Sequence, residues 1–284
     1  MNTCTTNTLT KDQEEQIRKL QELVFKEEQL ENEVFLSSEM NITKEKPCFF
    51  LRYENDELIC FLDAFFPSSR EIEINGFTHP AFRRRGHFTA LVQEALQTYQ
   101  GMPFAQALFQ CELNSKSGKA YLQKRYPSLD RSEYVMALAK ADWKSRPARG
   151  TLGKLEKHSR SQALPITCEA FGMDPVSGEK ELEFLISDPG REVYVYAQDE
   201  QVIGMLNVHR ESEDRVMLHG VAIRSSDRGK GYGKAMLCLA LDEIFKTVDT
   251  LLLEVDSENP PALSLYRSLG FEVRSQVDYH RLIL

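Results

Sequence analysis

Apolar and polar residues follow two different spacings along this chain, and together they predict a mixed α/β fold. Residues 9–34 carry apolar side chains at helical spacing among many charges, which indicates an amphipathic helix. Apolar segments at 49–53 and 58–65 are typical of the two strands of a hairpin, and residues 71–78 alternate like a half-exposed strand. A helical pattern follows, and strands and helices then alternate towards the C-terminus.

The same order of elements occurs twice. Each half is predicted to contain a hairpin, a strand, a loop rich in Arg and Gly, a helix, a strand, a short helix and a last strand. Four pairs of landmark residues are each separated by 145 positions, namely Arg83 and Arg228, Gly86 and Gly231, Asn114 and Asn259, and Tyr121 and Tyr266. This constant offset predicts a duplicated domain.

The break between the two copies is predicted at residues 144–150, where Pro147 and Gly150 interrupt the pattern among basic residues. The predicted domains are therefore residues 1–143 and residues 151–284. A chain of 284 residues is long enough for two domains that each bury a core.

The second half contains a strand, a glycine-rich loop and a helix in direct succession. Apolar residues from Val216 to Ile223 predict a buried strand, and a helical pattern begins at Gly233. The first amides of a helix lack internal partners, so this geometry can bind a phosphate. Glycines that let the backbone approach an anion and cations that attract it are both present: Gly229, Gly231, Gly233, Arg228, Lys230 and Lys234.

The spacing of this loop excludes two common phosphate-binding motifs. Lys234 is followed by Ala235, so the hydroxyl of a P-loop is missing, and Met236 stands where a dinucleotide fingerprint needs its last glycine. The sequence fits R-x-x-G-x-G at residues 228–233. A tight strand-to-helix turn that merely needs glycine is the alternative interpretation of this hexapeptide.

A second motif follows in the same half, N-x-x-A-x-x-L-Y-x-x-L-G-F at residues 259–271. Together the two motifs resemble the GCN5-related N-acetyltransferase (GNAT) superfamily, over about residues 190–284. The resemblance implies two tandem GNAT-like domains, each a splayed, mixed and mostly antiparallel sheet flanked by helices. It also implies that acetyl-CoA lies where two adjacent strands part and that the acceptor carries a primary amine.

The resemblance assigns candidate cofactor-binding residues. Backbone groups of Val221, Ala222 and Ile223 would bind the pantetheine arm, and Asn259 would lie close to the cofactor. The pyrophosphate would be bound by the loop residues Arg228, Gly229, Lys230, Gly231, Tyr232, Gly233 and Lys234.

Three residues are candidates for acid–base chemistry. Tyr266 can be the general acid for the leaving thiolate, because a phenol pKa of about 10 lies near that of a thiol. Glu254 lies twelve residues earlier, a spacing similar to that of family members in which the matching Glu is the base. His219, on the cofactor strand, is the rival base. The alternatives are a Tyr266 packed in the core, a Glu254 that only faces solvent and a packed or solvated His219.

The first half departs from the family motifs. Phe88 stands where the last loop glycine should be and is expected to fill the pyrophosphate approach, and Phe109 stands where the second half has Glu254. We therefore expect a degenerate first domain and a catalytic second domain. The layout resembles that of mycothiol synthase-like tandem members, in which the C-terminal half is active. A non-catalytic acyl-CoA sensor or scaffold on the same fold is the alternative function.

The amino-acid composition limits the classes of partner and ligand that this protein is expected to have. The chain has 35 basic and 43 acidic residues, a net charge of −8, which argues against nucleic acid or an anionic membrane as the main partner and mildly favours a cationic acceptor. Six cysteines without a C-x-x-C pair, and no cluster with metal-ligand spacing, predict free thiols and no metal site. We find no signal peptide pattern and no apolar run of 18 residues, so a cytoplasmic protein is predicted. The acceptor's identity and the oligomeric state stay open at this point.

Overall fold

A computed structural model describes residues 2–39, 41–156, 160–210 and 216–284 of the chain. Its strands are β1 Asn2–Thr6, β2 Phe49–Glu54, β3 Glu57–Phe65, β4 Glu71–Thr78, β5 Gln106–Glu112, β6 Leu129–Ala139, β7 Thr151–Lys154, β8 Arg191–Gln198, β9 Gln201–Arg210, β10 Val216–Ile223, β11 Thr250–Asp256 and β12 Glu272–Ile283. Its α-helices are α1 Lys11–Glu28, α2 His87–Thr98, α3 Lys116–Arg125, α4 Arg160–Phe171, α5 Pro175–Ser187, α6 Tyr232–Ile244 and α7 Pro260–Leu269.

The described chain divides into two compact units, which we call unit 1 and unit 2. Unit 1 comprises residues 1–133 with 275–284, and unit 2 comprises residues 134–274. These bounds differ from the predicted domains of residues 1–143 and 151–284. Most of β12 pairs with β5 of unit 1, from Val277 opposite Glu112 to Ile283 opposite Gln106. The last ten residues of the chain therefore belong to unit 1. Local sequence patterns do not indicate this long-range pairing.

The predicted linker at 144–150 lies within unit 2. Trp143, just before it, donates from Nε1 to Oδ1 of Asp242 at 2.8 Å, and Ser145 donates to the same carboxylate at 2.7 Å. The segment is mostly exposed, which fits its polar and basic composition, and side-chain hydrogen bonds at its start attach it to unit 2.

The two units repeat one order of elements, which confirms the predicted duplication. Within unit 1, β1 to β4 pair antiparallel in sequence order and β4 pairs parallel with β5. Within unit 2, β7 to β10 pair antiparallel in sequence order and β10 pairs parallel with β11. The offset of 145 residues holds for β4 and β10 at both ends.

Local sequence signals explain why these elements form. Thr10 caps α1 with a capping box that includes Gln13, and the apolar stripe of that helix is buried. Both predicted hairpins turn through two residues of positive φ, Asn55 and Asp56 in unit 1 and Asp199 and Glu200 in unit 2. Two left-handed residues suit the right-handed twist of the strands that they connect.

Unit 2 has an apolar layer on each face of its strands. On one face, α6 and α7 pack on residues such as Leu218 and Leu253. On the other, α4 and α5 pack on residues such as Val193 and Met205. Among the described residues, no helix is long and apolar enough to cross a membrane.

Candidate active site

Strands β10 and β11 of unit 2 separate part of the way along their length. Parallel pairing is present at Met217 opposite Leu252 and at Leu218 opposite Leu253, and within the described residues it ends there. His219 and Glu254 are therefore the first residues beyond the pairing. Side chains alternate along a strand, so both point away from the α6–α7 face on which Leu218 and Leu253 are buried. Glu254 is exposed and His219 is half-buried.

A β-bulge lies immediately after His219. The register between β10 and β9 shifts between His219 and Ala222, and Gly220 has a φ of 59°. A Cβ atom on Gly220 would lie 2.8 Å from Nδ2 of Asn207, so only glycine fits both the conformation and the space. Bulges re-aim a strand locally. The predicted pantetheine segment, Val221 to Ile223, begins within this bulge and lies beyond the last pair with β11.

The glycine loop of unit 2 leads into the N-terminus of α6. Nε of Arg228 donates to the carbonyl of Ile223 at 2.9 Å, which ties the loop to the end of β10. Gly229 and Gly231 have φ values of 75° and 81°, and Gly231 caps α6. A Cβ atom at either glycine would meet no other atom within 4 Å. The loop therefore leaves open space in front of the first helix amides, as a phosphate cradle requires.

Carboxylates partly neutralise the cations of this loop. Lys230 Nζ lies 3.0 Å from Asp227, and the hydrogen bonds from Arg224 and then Lys230 hold the pKa of Asp227 below its ordinary value. Glu169 of α4 accepts from the amide of Ser225 at 2.9 Å and lies 3.8 Å from Nη2 of Arg228. Local sequence patterns do not indicate that α4 contacts this loop.

Tyr266 lies on the α6–α7 face of the sheet, opposite to the face toward which Glu254 points. It belongs to the core beneath α7, is 8% exposed and makes an edge contact with Phe271 at 5.8 Å between ring centroids. Burial raises the pKa of Tyr266 to about 12. The phenol is therefore protonated at all ordinary pH values, but its pKa lies further from that of a thiol than the sequence argument assumed.

Asn259 has a clear local function. Its Oδ1 accepts from the amide of Ala262 at 3.2 Å, and Pro260 occupies the first position of α7. This is an N-cap followed by a proline with no amide to satisfy. Capping alone accounts for Asn259, and its closeness to a cofactor stays a prediction.

Unit 1 has the same loop backbone. Gly86 has a φ of 83° at the cap of α2, and Nε of Arg83 donates to the carbonyl of Thr78 at 3.2 Å. In this unit the strands part after Ile74 and Phe109. A cavity of about 890 Å³ is present, lined by β4, the loop, and residues of α3 such as Tyr121. The cleft of unit 1 is therefore not filled.

Phe88 lies elsewhere than the sequence predicted. Its ring makes an edge contact with Tyr121 at 5.2 Å, and a Cβ atom on Gly76 would lie 2.8 Å from it. The ring therefore covers strand β4 and does not sit in the loop. The corresponding residues of unit 2 are Val221 and Gly233, so the large and small side chains have changed places between strand and helix.

The polar residues at the split of unit 2 have apolar counterparts in unit 1. Asn207, His219 and Glu254 correspond by the offset of 145 residues to Leu62, Ile74 and Phe109, which are all at most 1% exposed. Moreover, β4 pairs with β3 without a register shift, so the bulge is missing there. At these three positions unit 1 therefore has no group that could accept a proton from an amine.

A carboxylate closes one side of the unit 1 cleft. Glu28, at the end of α1, accepts from Nη1 of Arg83 at 3.1 Å, from Oγ of Ser115 at 2.7 Å and from the amide of Ser117 at 3.1 Å. It thus ties helix α1 to the loop and to the start of α3. The corresponding residue of unit 2 is Met173, which cannot form such a tie.

With this geometry in view, comparison with known proteins identifies the class. The model of the acetyltransferase (GNAT) family matches residues 161–271. The ribosomal protein bS18–alanine N-acetyltransferase of Escherichia coli is 31% identical over 39% of this chain and 68% of its own length. The chain belongs to the GNAT family. It is an N-acetyltransferase, and the fold class predicted from the sequence is confirmed.

Other similar proteins cover more of the chain. A mycothiol acetyltransferase of Saccharomonospora viridis is 26% identical over 71% of each chain. The crystal structure of a GCN5-related N-acetyltransferase from Sphaerobacter thermophilus has a TM-score of 0.76 at 19% identity and covers 99% of this chain and 95% of its own. A tandem GNAT protein from the clavulanic acid biosynthesis pathway has a TM-score of 0.72 at 14% identity and covers 99% and 98%. At these identities the two structures show the fold alone.

The described residues contain no group of three or more His, Cys, Asp and Glu side chains that could hold a metal ion.

Proposed function

We propose that this protein transfers the acetyl group of acetyl-CoA to a primary amine and that the transfer takes place in unit 2. One observation is the main support for this proposal. The polar residues Asn207, His219 and Glu254 lie at or beside the point where two strands part, next to an open glycine loop. Unit 1 retains the loop backbone but has apolar residues in all three positions.

The residues of unit 2 fit acetyl-CoA. Amides at the start of α6 and the cations Arg228, Lys230 and Lys234 would bind the pyrophosphate. The backbone of Val221 to Ile223, released from pairing with β11, would bind the amide groups of the pantetheine arm. The thioester would then lie beside the split, between Glu254 on one face and Tyr266 on the other.

The chemistry needs three proton transfers. Glu254, directly or through a water molecule, takes a proton from the acceptor ammonium. The amine nitrogen then bonds to the acetyl carbon and gives up a second proton to solvent, since the amide product keeps only one. The bond from that carbon to sulfur breaks, and the sulfur receives a hydrogen bond and finally a proton from the Tyr266 hydroxyl. Because burial raises the pKa of Tyr266 to about 12, we expect its main contribution to be hydrogen bonding to the developing thiolate.

His219 stays the rival base. It occupies the equivalent position on β10, and its ring lies 6.3 Å from that of His209, centroid to centroid. The exposed carboxylate of Glu254 and the net charge of −8 favour a cationic acceptor. Because the side chain of Glu254 is exposed, an acceptor can reach it, which favours an enzyme over a sensor or scaffold without catalysis.

An acceptor screen tests this function. The full chain is mixed with acetyl-CoA and a panel of a diamine, a polyamine, an aminoglycoside and an alanine-terminated peptide, and released thiol is measured. We expect at least one amine to give thiol release that Glu254→Gln reduces by about 10²-fold or more. Tight binding of acetyl-CoA without release for any amine would instead support the sensor interpretation.

A further inference from the structure

The cofactor loop of unit 2 is contacted by a residue from outside both family motifs. We infer that Arg149, which the sequence placed in a linker, is an additional phosphate-binding residue of the acetyl-CoA site. The inference rests on the proposed function, because it assigns a ligand group within that same site.

The guanidinium of Arg149 lies against the start of α6. Its Cζ is 4.3 Å from the centroid of the Tyr232 ring, and its Nη2 donates to the carbonyl of Lys230. Lys230 and Tyr232 flank Gly231, the cap residue of the helix. The positive charge therefore lies next to the outward-facing amides and adds to the partial positive charge of the helix N-terminus.

The backbone of Arg149 is fixed in this place. The hydroxyl of Tyr196, whose side chain is fully buried, donates to the carbonyl of Arg149 at 2.9 Å. Gly150 has a φ of 83°, and a Cβ atom there would lie 2.6 Å from the Tyr196 hydroxyl. Glycine is thus what allows the chain to pass so close to β8. Strand β7 begins at the next residue, opposite Ala197.

The chemistry of Arg149 suits a phosphate. A guanidinium has five N–H donors in a planar fork, and stacking on an aromatic ring leaves its edge available to oxygen atoms. Lys230 and Arg228 have carboxylates nearby, from Asp227 and Glu169. The contacts of Arg149, a backbone carbonyl and an aromatic ring, carry no negative charge. Its side chain is exposed, so a ligand at the loop can reach it.

Unit 1 has no equivalent of this residue. The position 145 residues earlier is Cys4, a half-buried thiol in β1. The loop of unit 2 therefore has an additional cation, Arg149, that the loop of unit 1 lacks. This is a second difference between the units, besides the one at the strand split.

Coenzyme A offers two sources of phosphate, the pyrophosphate and the 3′-phosphate, and 3′-dephospho-CoA separates them. We would titrate the full chain with CoA and with 3′-dephospho-CoA by calorimetry. The variants are Arg149→Gln, Arg149→Lys and the control Arg146→Gln, whose arginine contacts Trp143 and the carbonyl of Ser268 and not the loop. Melting temperatures of the variants check that each is folded.

We expect Arg149→Gln to weaken CoA binding about tenfold, as the loss of one charge-assisted hydrogen bond at an exposed site would do. Arg149→Lys should recover part of this loss, and Arg146→Gln should bind like the wild type. A loss confined to CoA would assign the 3′-phosphate, and an equal loss with 3′-dephospho-CoA would assign the pyrophosphate.

Two results would overturn the inference while leaving the proposed function intact. One is CoA binding by Arg149→Gln as tight as by the wild type. The other is an equal loss in Arg146→Gln, which would indicate a general effect of charge. A wild-type chain that binds neither ligand would overturn the proposed function as well, so the two failures are distinguishable.

Discussion

The glycine loops of unit 1 and unit 2 share a backbone, whereas the residues at the two strand splits differ. Both have a left-handed glycine at the helix cap, Gly86 and Gly231, and both have an arginine tied to the last carbonyl of the preceding strand. At the split, however, unit 2 has Glu254 where unit 1 has Phe109. The comparison shows that the backbone of a phosphate loop can be present in a fold without a proton acceptor at the neighbouring strand split.

A second contrast concerns access. In unit 1, Glu28 joins α1 to Arg83 and to α3, whereas unit 2 has a bulge at Gly220 and no such tie from Met173. Yet unit 1 retains a cavity of about 890 Å³. We therefore attribute the expected lack of catalysis in unit 1 to the missing proton acceptors at its strand split, where Ile74 and Phe109 stand, and not to a blocked cleft.

The largest effect is expected from the base. Glu254→Gln should lower kcat by about 10²–10⁴-fold and flatten the acid limb of the pH–rate profile, because the amide cannot accept a proton. Steady-state kinetics from pH 5 to 9 would show this, with Glu272→Gln, an exposed glutamate of the same unit, as the control. If His219→Gln flattened that limb and Glu254→Gln did not, His219 would be the base.

Replacing the general acid, Tyr266, is expected to lower kcat somewhat less than replacing the base. Tyr266→Phe should lower kcat by about 10²-fold and leave acetyl-CoA affinity nearly unchanged, since only a hydrogen bond to the developing thiolate is lost. The matched variant is Tyr121→Phe in unit 1. Burial raises the pKa of both tyrosines to about 12, so the two phenols are shifted in the same direction by the same main cause. Equal kcat values for wild type and Tyr266→Phe would remove the acid role.

Because of that raised pKa, ionisation of Tyr266 should not produce an alkaline limb below about pH 11. A limb at lower pH that Tyr266→Phe abolishes would contradict this expectation.

The smallest effect concerns stability. Burial raises the pKa of Asp63 in unit 1 to about 7, and the charge of Glu73 adds to the shift, whereas unit 2 has Val208 in this position. The folded state thus keeps a proton on Asp63 that the unfolded state releases near pH 4. The contribution of Asp63 to the free energy of unfolding therefore falls as the pH rises from about 4 to 7. Asp63→Asn should therefore raise stability by about 1–2 kcal/mol at pH 8 and much less at pH 4.

Thermal melts at the two pH values measure this difference. Asp56→Asn, at an exposed hairpin turn, is the control and should show no such pH dependence. An Asp63→Asn variant that is less stable at pH 8 than the wild type would show that the carboxylate has a favourable partner when charged.

Much of the fold was predictable because it depends on local patterns. Hairpin turns such as Asn55-Asp56 and the loop at 228–233 combine residue types that favour one backbone conformation. The pairing of β12 with β5 of unit 1 was not predictable. The two strands are about 170 residues apart in the sequence, and pairing over such a separation does not change local periodicity.

The same reasoning separates the parts of the candidate site that the sequence could propose from the contacts that it missed. Glu254 and Tyr266 could be proposed from spacing on adjacent elements. Arg149 and Glu169 were missed, because their contacts with the loop join segments that are distant in sequence. The sequence also predicted the wrong place for the ring of Phe88, which lies over β4. The offset of 145 residues identifies the equivalent position but not the direction of its side chain.

The most direct test of the central claim is a calorimetric titration of acetyl-CoA into the wild type, Gly231→Asp and Gly86→Asp. The two glycines have φ values of 81° and 83°, and a side chain at either would meet no other protein atom within 4 Å, so the variants are closely matched. We predict one tight site in the wild type that is lost in Gly231→Asp, where a carboxylate repels the pyrophosphate, and retained in Gly86→Asp. Two equivalent sites in the wild type, or loss of the tight site in Gly86→Asp alone, would contradict the account.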